Sequence, residues 1–124
     1  MTSEAAQWIA VDWGTSNLRL WVMSAAGRVM KALSSDKGMA SLSPEAFEPE
    51  LLRLIEPYLT DAPMPVICCG MVGAKQGWRE AAYAAVPCPP PSAEIATRVE
   101  THDPRIRVAI VPGLMQMEPG DVMR

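Results

Sequence analysis

Several classes of protein are disfavoured by what this sequence lacks. It has a single histidine, His102, and no sign of a nucleophile partner for it, so a hydrolase triad has no support. Its Lys and Arg residues are nowhere concentrated and its net charge is −3, which disfavours a nucleic-acid or anionic-membrane surface. The longest apolar stretch, residues 66–74, is far shorter than the roughly 20 residues of a membrane-spanning helix. Because the first seven residues contain neither a basic residue nor an apolar run typical of a signal peptide, we expect a cytoplasmic protein.

Cysteine is also scarce, and its placement argues against both disulfides and a metal centre. Cys68 and Cys69 are adjacent, and Cys88 leaves an odd number. Adjacent cysteines are poorly placed for an unstrained bridge. No second pair or neighbouring histidine completes a set of metal ligands. We therefore expect three buried free thiols.

What is present suits one folded domain. A length of 124 residues lies within the common range for a single domain. Hydrophobic residues make up 49% of the chain and charged residues 20%, which excludes disorder as a description of the whole chain.

The first third of the chain predicts an antiparallel meander. Residues 8–13 form a compact apolar run that ends at turn residues, and from residue 18 to residue 23 buried and exposed types alternate. A third strand is predicted over residues 28–34. After a loop that contains Gly38, apolar residues recur at helical spacing, and the regular helix is predicted to begin near Glu48 and to weaken at Pro57.

The rest of the chain predicts parallel strands that extend the sheet begun by this meander. Residues 65–69 are continuously apolar, the pattern of a central parallel strand buried on both faces. A glycine-rich loop follows, then a stiff proline-rich connector at residues 87–91, a short helix capped by Ser92, and a strand over residues 107–111. Together these elements predict an α/β fold, in which flanking helices pack on a mixed sheet of an antiparallel three-strand meander plus parallel strands.

The turn after the first strand is a candidate phosphate site. Asp12 stands at the carboxyl end of that strand, followed by Gly14, Thr15 and Ser16. Glycine admits close approach to the backbone, successive amides can bind an anion, and a carboxylate can hold Mg²⁺ through its water shell. Spacing alone equally allows an ordinary hairpin turn in which Asp12 bonds local amides.

Four segments in order along the chain favour the phosphate site. The first hairpin resembles the first phosphate loop of the superfamily that joins actin, sugar kinases and heat-shock chaperone ATPases. More narrowly, the chain resembles the 2-dehydro-3-deoxygalactonokinase family in these segments: Asp12-Trp-Gly-Thr-Ser-Asn-Leu-Arg-Leu-Trp21, Gly70-Met-Val-Gly-Ala-Lys-Gln-Gly-Trp78, Val111-Pro-Gly-Leu114 and Asp121-Val-Met-Arg124.

The resemblance implies a ribonuclease H-like lobe and an enzyme that phosphorylates 2-dehydro-3-deoxy-galactonate with ATP and Mg²⁺. It assigns catalytic roles to Asp12, which would hold the metal, and to Asp121. It assigns phosphate binding to Gly14, Thr15, Ser16 and Asn17. It assigns the sugar-acid pocket to Arg19, Gly70, Met71, Gly73, Gln76, Gly77 and Trp78.

Alternatives stay open for two of these residues and for the substrate. Arg19 suits a ligand carboxylate or phosphate, and it equally suits the exposed face of a hairpin. Trp78 suits the pocket wall and also simple packing. The sequence does not separate the galactonate from the gluconate epimer.

The resemblance divides the chain into a lobe at residues 1–116 and the start of an interlobe segment at residues 117–124. It implies a second lobe beyond them that supplies most of the adenosine site, so this chain by itself is expected to be inactive. The alternative is a non-catalytic ligand-binding or assembly module, which a natural stop codon after Arg124 would favour.

A lobe without its second half is expected to expose apolar surface and to form homodimers. Sedimentation velocity over a range of protein concentrations checks this expectation. A single monomeric species at high concentration would contradict it.

Overall fold

The computed structural model describes residues 5–90, 95–118 and 120–124. Within these ranges it contains one α-helix, α1 (Phe47–Ile55), flanked by 3-10 turns at Pro44–Ala46 and Glu56–Tyr58. The strands of the described residues are β1 (Trp8–Trp13), β2 (Leu18–Met23), β3 (Val29–Ser35), β4 (Met64–Cys69), β5 (Tyr83–Ala85), β6 (Thr97–Val99), β7 (Ile106–Ile110), β8 (Gly113–Met117) and β9 (Gly120–Met123).

Six of these strands form a mixed sheet in the order β3-β2-β1-β4-β7-β6. The first three strands are an antiparallel meander, and β4 and β7 continue the sheet parallel to β1. The antiparallel strand β6 closes the far edge. This arrangement confirms the predicted mixed α/β fold.

One face of the sheet carries the core. Strand residues alternate between the two faces, so every second residue of β1, β2, β4 and β7 points to the same side. That side packs against α1. On these four strands the buried residues are Ile9, Val11, Trp13, Leu18, Leu20, Val22, Met64, Val66, Cys68, Ile106, Val108 and Ile110.

Helix α1 begins one residue before the predicted start, after the looser turn that contains Pro44. Phe47, Leu51 and Ile55 recur every four residues and are fully buried, because residues at this spacing share one face of a helix. The buried carboxylate of Glu48 accepts hydrogen bonds from the backbone N–H groups of residues 102 and 103, at 2.9 and 2.8 Å. The lone histidine therefore lies in a loop that is fixed to α1 through its backbone.

An arginine also ties this loop to the end of α1. The guanidinium of Arg105 donates hydrogen bonds to Asp103 and Glu56, at 2.7 and 2.8 Å. These hydrogen bonds hold the pKa of both carboxyls below their ordinary values.

The opposite face of the sheet is open in the described part of the chain, and this corrects two predictions. β4 is buried on one face only, because Pro65 and Cys69 on the other face are exposed. The prediction of three buried thiols was therefore wrong for Cys69, and also for Cys88, which is exposed in the connector. Helices were predicted to flank the sheet, and within the described residues α1 covers one face alone.

The end of the chain forms strands that the sequence pattern did not predict, because the turn residues after Gln116 are also typical of a linker. β8 pairs with β9 in an antiparallel hairpin and with β5 in a second, three-stranded sheet. The hairpin leaves Met117 and Met123 largely exposed. The predicted helix cap Ser92 lies outside the described residues, and residues 97–99 form β6. No helix in the described ranges has the length and apolar content needed to cross a membrane.

Packing between α1 and the sheet predicts unequal effects of two leucine substitutions. Leu51 is fully buried and Leu52, its neighbour on α1, is half-buried. Leu51→Ala is expected to lower the free energy of unfolding by about 2–5 kcal/mol, because it leaves a cavity in the core. Leu52→Ala, the matched control, is expected to cost clearly less. Urea unfolding of both variants measures the difference, and equal losses would contradict this assignment of the core face.

Candidate functional site

The two loops that carry the glycine-rich motifs lie side by side. β1 leads into residues 14–17, the first loop, and its parallel neighbour β4 leads into residues 70–78, the second loop. Gly70 has a φ of 100°, and a Cβ atom there would lie 2.8 Å from the carbonyl oxygen of Trp13. The close approach of the second loop to the end of β1 therefore requires glycine at residue 70. The carboxyl edge of parallel strands is where α/β proteins commonly bind ligands.

Four side chains form a row across the open face of the sheet, next to these loops. The strand register places Ser34 beside Arg19, Arg19 beside Asp12 and Asp12 beside Cys69. Arg19 Nη2 donates to Asp12 Oδ2 at 3.2 Å, and the two side chains are 65% and 38% exposed. An exposed ion pair of this kind contributes about 0–1 kcal/mol. Arg19 can therefore leave Asp12 for an anionic ligand at little cost.

The first loop is a tight, exposed turn. The N–H of Gly14 donates to the carbonyl oxygen of Asn17 at 2.9 Å, which closes the turn. Thr15, Ser16 and Asn17 are exposed, and their backbone N–H groups find no hydrogen-bond partner among the described residues. Successive unpaired amides in an exposed turn are suited to binding an anion.

A strap formed by residues 36–40 holds the first loop from behind. The N–H of Met39 donates to the carbonyl of Gly14 at 2.8 Å, and the N–H of residue 40 donates to the carbonyl of Thr15 at 3.0 Å. The indole N–H of Trp13 donates to the carbonyl of residue 37 at 3.0 Å. The strap therefore bonds the carbonyl groups of the first loop and makes no hydrogen bond to its amides, although Gly38 packs against the backbone nitrogen of Asn17.

Gly38 is the part of the site that the sequence did not reveal. A Cβ atom on this residue would lie 2.3 Å from the backbone carbon of Ser16 and 2.3 Å from the carbonyl oxygen of Thr15. The strap can lie this close only because residue 38 has no side chain. The available signal was one glycine in a short loop, which is common in loops of every kind.

Two glycines of the second loop serve packing. A Cβ atom at Gly73 would lie 2.9 Å from Ile110 Cγ2, and one at Gly77 would lie 2.2 Å from the carbonyl oxygen of Val72. Among the other residues predicted to line the sugar-acid pocket, Met71 is half-buried and Gln76 is exposed. Among the residues predicted to line the pocket, Gln76 is therefore the polar side chain that is exposed to a ligand.

Trp78 lies in an aromatic cluster with Trp13 and Phe47. Its ring centroid is 5.9 Å from that of Trp13 in an edge-to-face arrangement and 6.0 Å from that of Phe47, on which it stacks. Such pairs stabilise a core beyond the area that they bury. The contacts of Trp78 thus correspond to the packing alternative, and a role in the pocket stays a prediction.

Asp121 lies on β9, in the second sheet, and Asp12 lies in the six-stranded sheet. The Asp121 side chain is exposed, and its Oδ1 accepts a hydrogen bond from the N–H of Val122 at 2.9 Å. Its predicted catalytic role stays a prediction.

The side chains in the row on the open face of the sheet limit how a metal ion can bind beside Asp12. Among the described residues, no group of three or more His, Cys, Asp or Glu side chains could hold a metal ion. Cys69 beside Asp12 is a poor ligand, because the partial desolvation of its thiol, and secondarily the negative charge of Asp12, raises the pKa of that thiol. Asp12 alone therefore suits a hard cation held mainly by water and phosphate oxygens, the usual mode of Mg²⁺.

Comparison with known proteins points to one family. A family model described as 2-keto-3-deoxy-galactonokinase matches residues 12–124. The chain is 39% identical over 123 residues to DgoK1 of Rhizobium meliloti (strain 1021), named as a 2-dehydro-3-deoxygalactonokinase, a match that covers 97% of this chain and 40% of that protein. It is 32% identical over 82 residues to the 2-dehydro-3-deoxygalactonokinase of Escherichia coli (strain K12), covering 66% of this chain and 27% of that one.

A solved structure agrees with the sequence matches. A crystal structure from Sinorhizobium meliloti, described as a 2-dehydro-3-deoxygalactonokinase protein, superposes with a TM-score of 0.77 at 36% identity. The superposition covers 94% of this chain and 39% of that one. The chain thus spans at most about 40% of the length of these relatives.

The strap predicts that Gly38→Ala destabilises the first loop. The added methyl group meets backbone atoms that cannot yield, so a loss of about 1–3 kcal/mol in the free energy of unfolding is expected. Gly120→Ala is the matched control, because the nearest atom to a Cβ there is 3.9 Å away, and it is expected to change stability by less than about 0.5 kcal/mol. Urea unfolding measures both, and a neutral Gly38→Ala would contradict the described contact.

Proposed function

Because this chain belongs to the 2-keto-3-deoxy-galactonokinase family, we propose that it forms the part of a 2-dehydro-3-deoxygalactonokinase that binds the ATP phosphates and the sugar acid. The family resemblance carried by the four motifs is confirmed by these matches. The proposed reaction moves the γ-phosphoryl group of ATP to the terminal hydroxyl of 2-dehydro-3-deoxy-galactonate. The observation that carries the proposal is the exposed first loop, with three unpaired amides beside the Asp12–Arg19 pair.

The first loop binds phosphate in this proposal. The N–H groups of Thr15, Ser16 and Asn17 donate to phosphate oxygens, and the two hydroxyls add further donors. The strap holds the loop in its shape before ATP arrives, so little ordering is needed on binding. Donors that are fixed in advance also stabilise charge during transfer without reorganising.

In this proposal Asp12 and Arg19 help to compensate the negative charge of the phosphoryl group that is transferred. Asp12 would hold Mg²⁺ through its water shell, and a metal bound there would supply positive charge beside the phosphates. Arg19 exchanges its weak pair with Asp12 for a phosphate oxygen or the carboxylate of the sugar acid, both of which match its planar fork of donors. A charged ligand thus replaces one partner of an exposed ion pair.

The second loop orients the acceptor in this proposal. It contacts the end of β1 at Gly70, directly before the first loop, and presents Gln76 to solvent, so a sugar acid bound there lies near the phosphates. Holding the acceptor and donor together is the main requirement of phosphoryl transfer. We retain Gly70, Met71, Gly73, Gln76, Gly77 and Trp78 as the proposed wall, in which Gly73, Gly77 and Trp78 act through packing.

We do not expect this chain to catalyse the reaction by itself, because it covers less than half of the length of its relatives. It spans about 40% of the DgoK1 relative, so we propose that residues 1–116 form one lobe, that residues 117–124 lead out of it, and that a second lobe supplies the adenosine site. The lobe alone then binds ligands without turnover. We place this kinase in the cytoplasm, where ATP is available. Self-association of the lobe through its exposed apolar residues also stays a prediction.

Calorimetric titration of the 124-residue chain with ATP tests the phosphate site. Mg²⁺ is expected to raise the affinity for ATP, and Asp12→Asn is expected to reduce this gain by about tenfold or more, since hydrogen bonds to charged groups contribute about 1.5–3 kcal/mol. Asp61→Asn is the matched control, because Asp61 is exposed in the loop before the amino end of β4. It is expected to keep the full effect of Mg²⁺.

The outcomes separate the candidate functions. An unchanged Mg²⁺ effect in Asp12→Asn would remove Asp12 from the metal role. Binding of sugar acid without any binding of ATP would favour the non-catalytic ligand-binding module. A coupled assay with ATP and the sugar acid adds a third result, because turnover by the 124-residue chain would contradict the need for a second lobe.

A further inference from the structure

Arg124 has an unusual environment for an arginine that follows an exposed strand. Its side chain is only 11% exposed, although all four residues of β9 before it are exposed. Its Nε donates to the hydroxyl of Tyr83 at 2.8 Å, and its Nη1 donates to the carbonyl of Ala81 at 2.9 Å and also to the carbonyl of Gly73. The guanidinium therefore joins β9, β5 and the second loop.

The positive charge of Arg124 is compensated where it lies. Its guanidinium carbon is 4.2 Å from the centroid of the Tyr83 ring, a cation–π contact. Its Nη2 is 4.0 Å from Glu80 Oε2. A buried charge that already has hydrogen-bond acceptors, an aromatic face and a carboxylate has little need of a further anion.

The point of attachment on the second loop is the carbonyl of Gly73. This carbonyl also accepts a hydrogen bond from the N–H of Ala81 at 2.9 Å, so two donors from different parts of the chain meet on it. Gly73 belongs to the 3-10 turn Met71–Gly73, which follows Gly70 directly. Holding Gly73 therefore fixes the turn that leads from the contact of Gly70 with β1 to Gln76.

We propose that Arg124 is a positioning residue that holds the second loop in its binding shape. It acts through the Gly73 and Ala81 carbonyls and does not touch the ligand. This inference rests on the proposed function, since it gives a role in sugar-acid binding to a residue outside the pocket. Arginine suits the role because its planar fork donates in several fixed directions at once, which a lysine ammonium does not reproduce.

Hydrogen exchange of the 124-residue chain tests the positioning directly. Arg124→Met is expected to speed amide exchange about tenfold or more at Ala81 and Trp78, while the amides of β1 and β4 keep their protection. Arg124→Lys is expected to restore part of the protection. Arg79→Met removes the same charge from an exposed position next to the loop and is expected to leave exchange unchanged.

Ligand titration then links the position of the loop to binding. In Arg124→Met the affinity for 2-dehydro-3-deoxy-galactonate is expected to fall about tenfold, while the affinity for ATP at the first loop is unchanged. A merely structural role would lower both affinities and the protection of the whole sheet together, and that result would overturn the proposal. Unchanged exchange at Ala81 and Trp78 would overturn it as well.

The two measurements also keep the proposals apart. If the wild-type chain binds no sugar acid, the substrate assigned in the proposed function is wrong. The exchange rates of Arg124→Met still decide whether Arg124 positions the second loop, because they need no ligand.

Discussion

The register of β1 between β2 and β4 is the constraint on which the rest of the structure depends. It turns Ile9, Val11 and Trp13 into the core and leaves Asp12 on the open face, beside Arg19. Full burial of a large apolar side chain contributes about 1.5–3 kcal/mol, whereas an exposed ion pair contributes about 0–1 kcal/mol. The core therefore decides where Asp12 stands, and the pair with Arg19 follows from it. If β1 shifted by one residue against its neighbours, its core residues would turn to the open face and Asp12 to the core. Both the apolar packing and the ion pair with Arg19 would then be lost.

Trp13 connects this core to both loops of the site. Its ring packs against Phe47 and Trp78, its indole N–H bonds the strap, and its carbonyl lies against Gly70. One residue thus relates the position of α1, the first loop and the second loop to one another. A site built in this way is only as precise as the packing beneath it.

The sequence predicted the parts of the fold that local pattern controls. Alternation from Leu18 to Val22 and the four-residue spacing of Phe47, Leu51 and Ile55 each report which face is buried, and both predictions were confirmed. Burial of β4 on both faces was wrong, because an apolar run does not reveal whether a second layer covers the sheet. The β8–β9 hairpin was missed because its turn residues are equally typical of a linker.

The parts of the candidate site that lie in sequence motifs could be predicted from the sequence. The parts that depend on contacts between distant segments of the chain could not. Asp12 and the two glycine-rich loops were identified from the residues and the family resemblance, and the parallel pairing of β1 with β4 brings them together. The roles of Gly38 and Arg124 depend on neighbours more than 20 residues away in the chain. Such contacts leave no local pattern to read.

The strap also limits how this surface can change in evolution. Surface loops usually tolerate insertions, and residues 60–63, which are exposed and precede β4, fit that expectation. The strap is anchored at one end by Ser35, whose hydroxyl donates to Glu50 at 2.6 Å, and at the other by the amides that bond the first loop. An extra residue between these anchors would shift Gly38 out of its contact, so the length of this connection is as constrained as that of a buried strand, although residues 36, 37 and 40 are exposed.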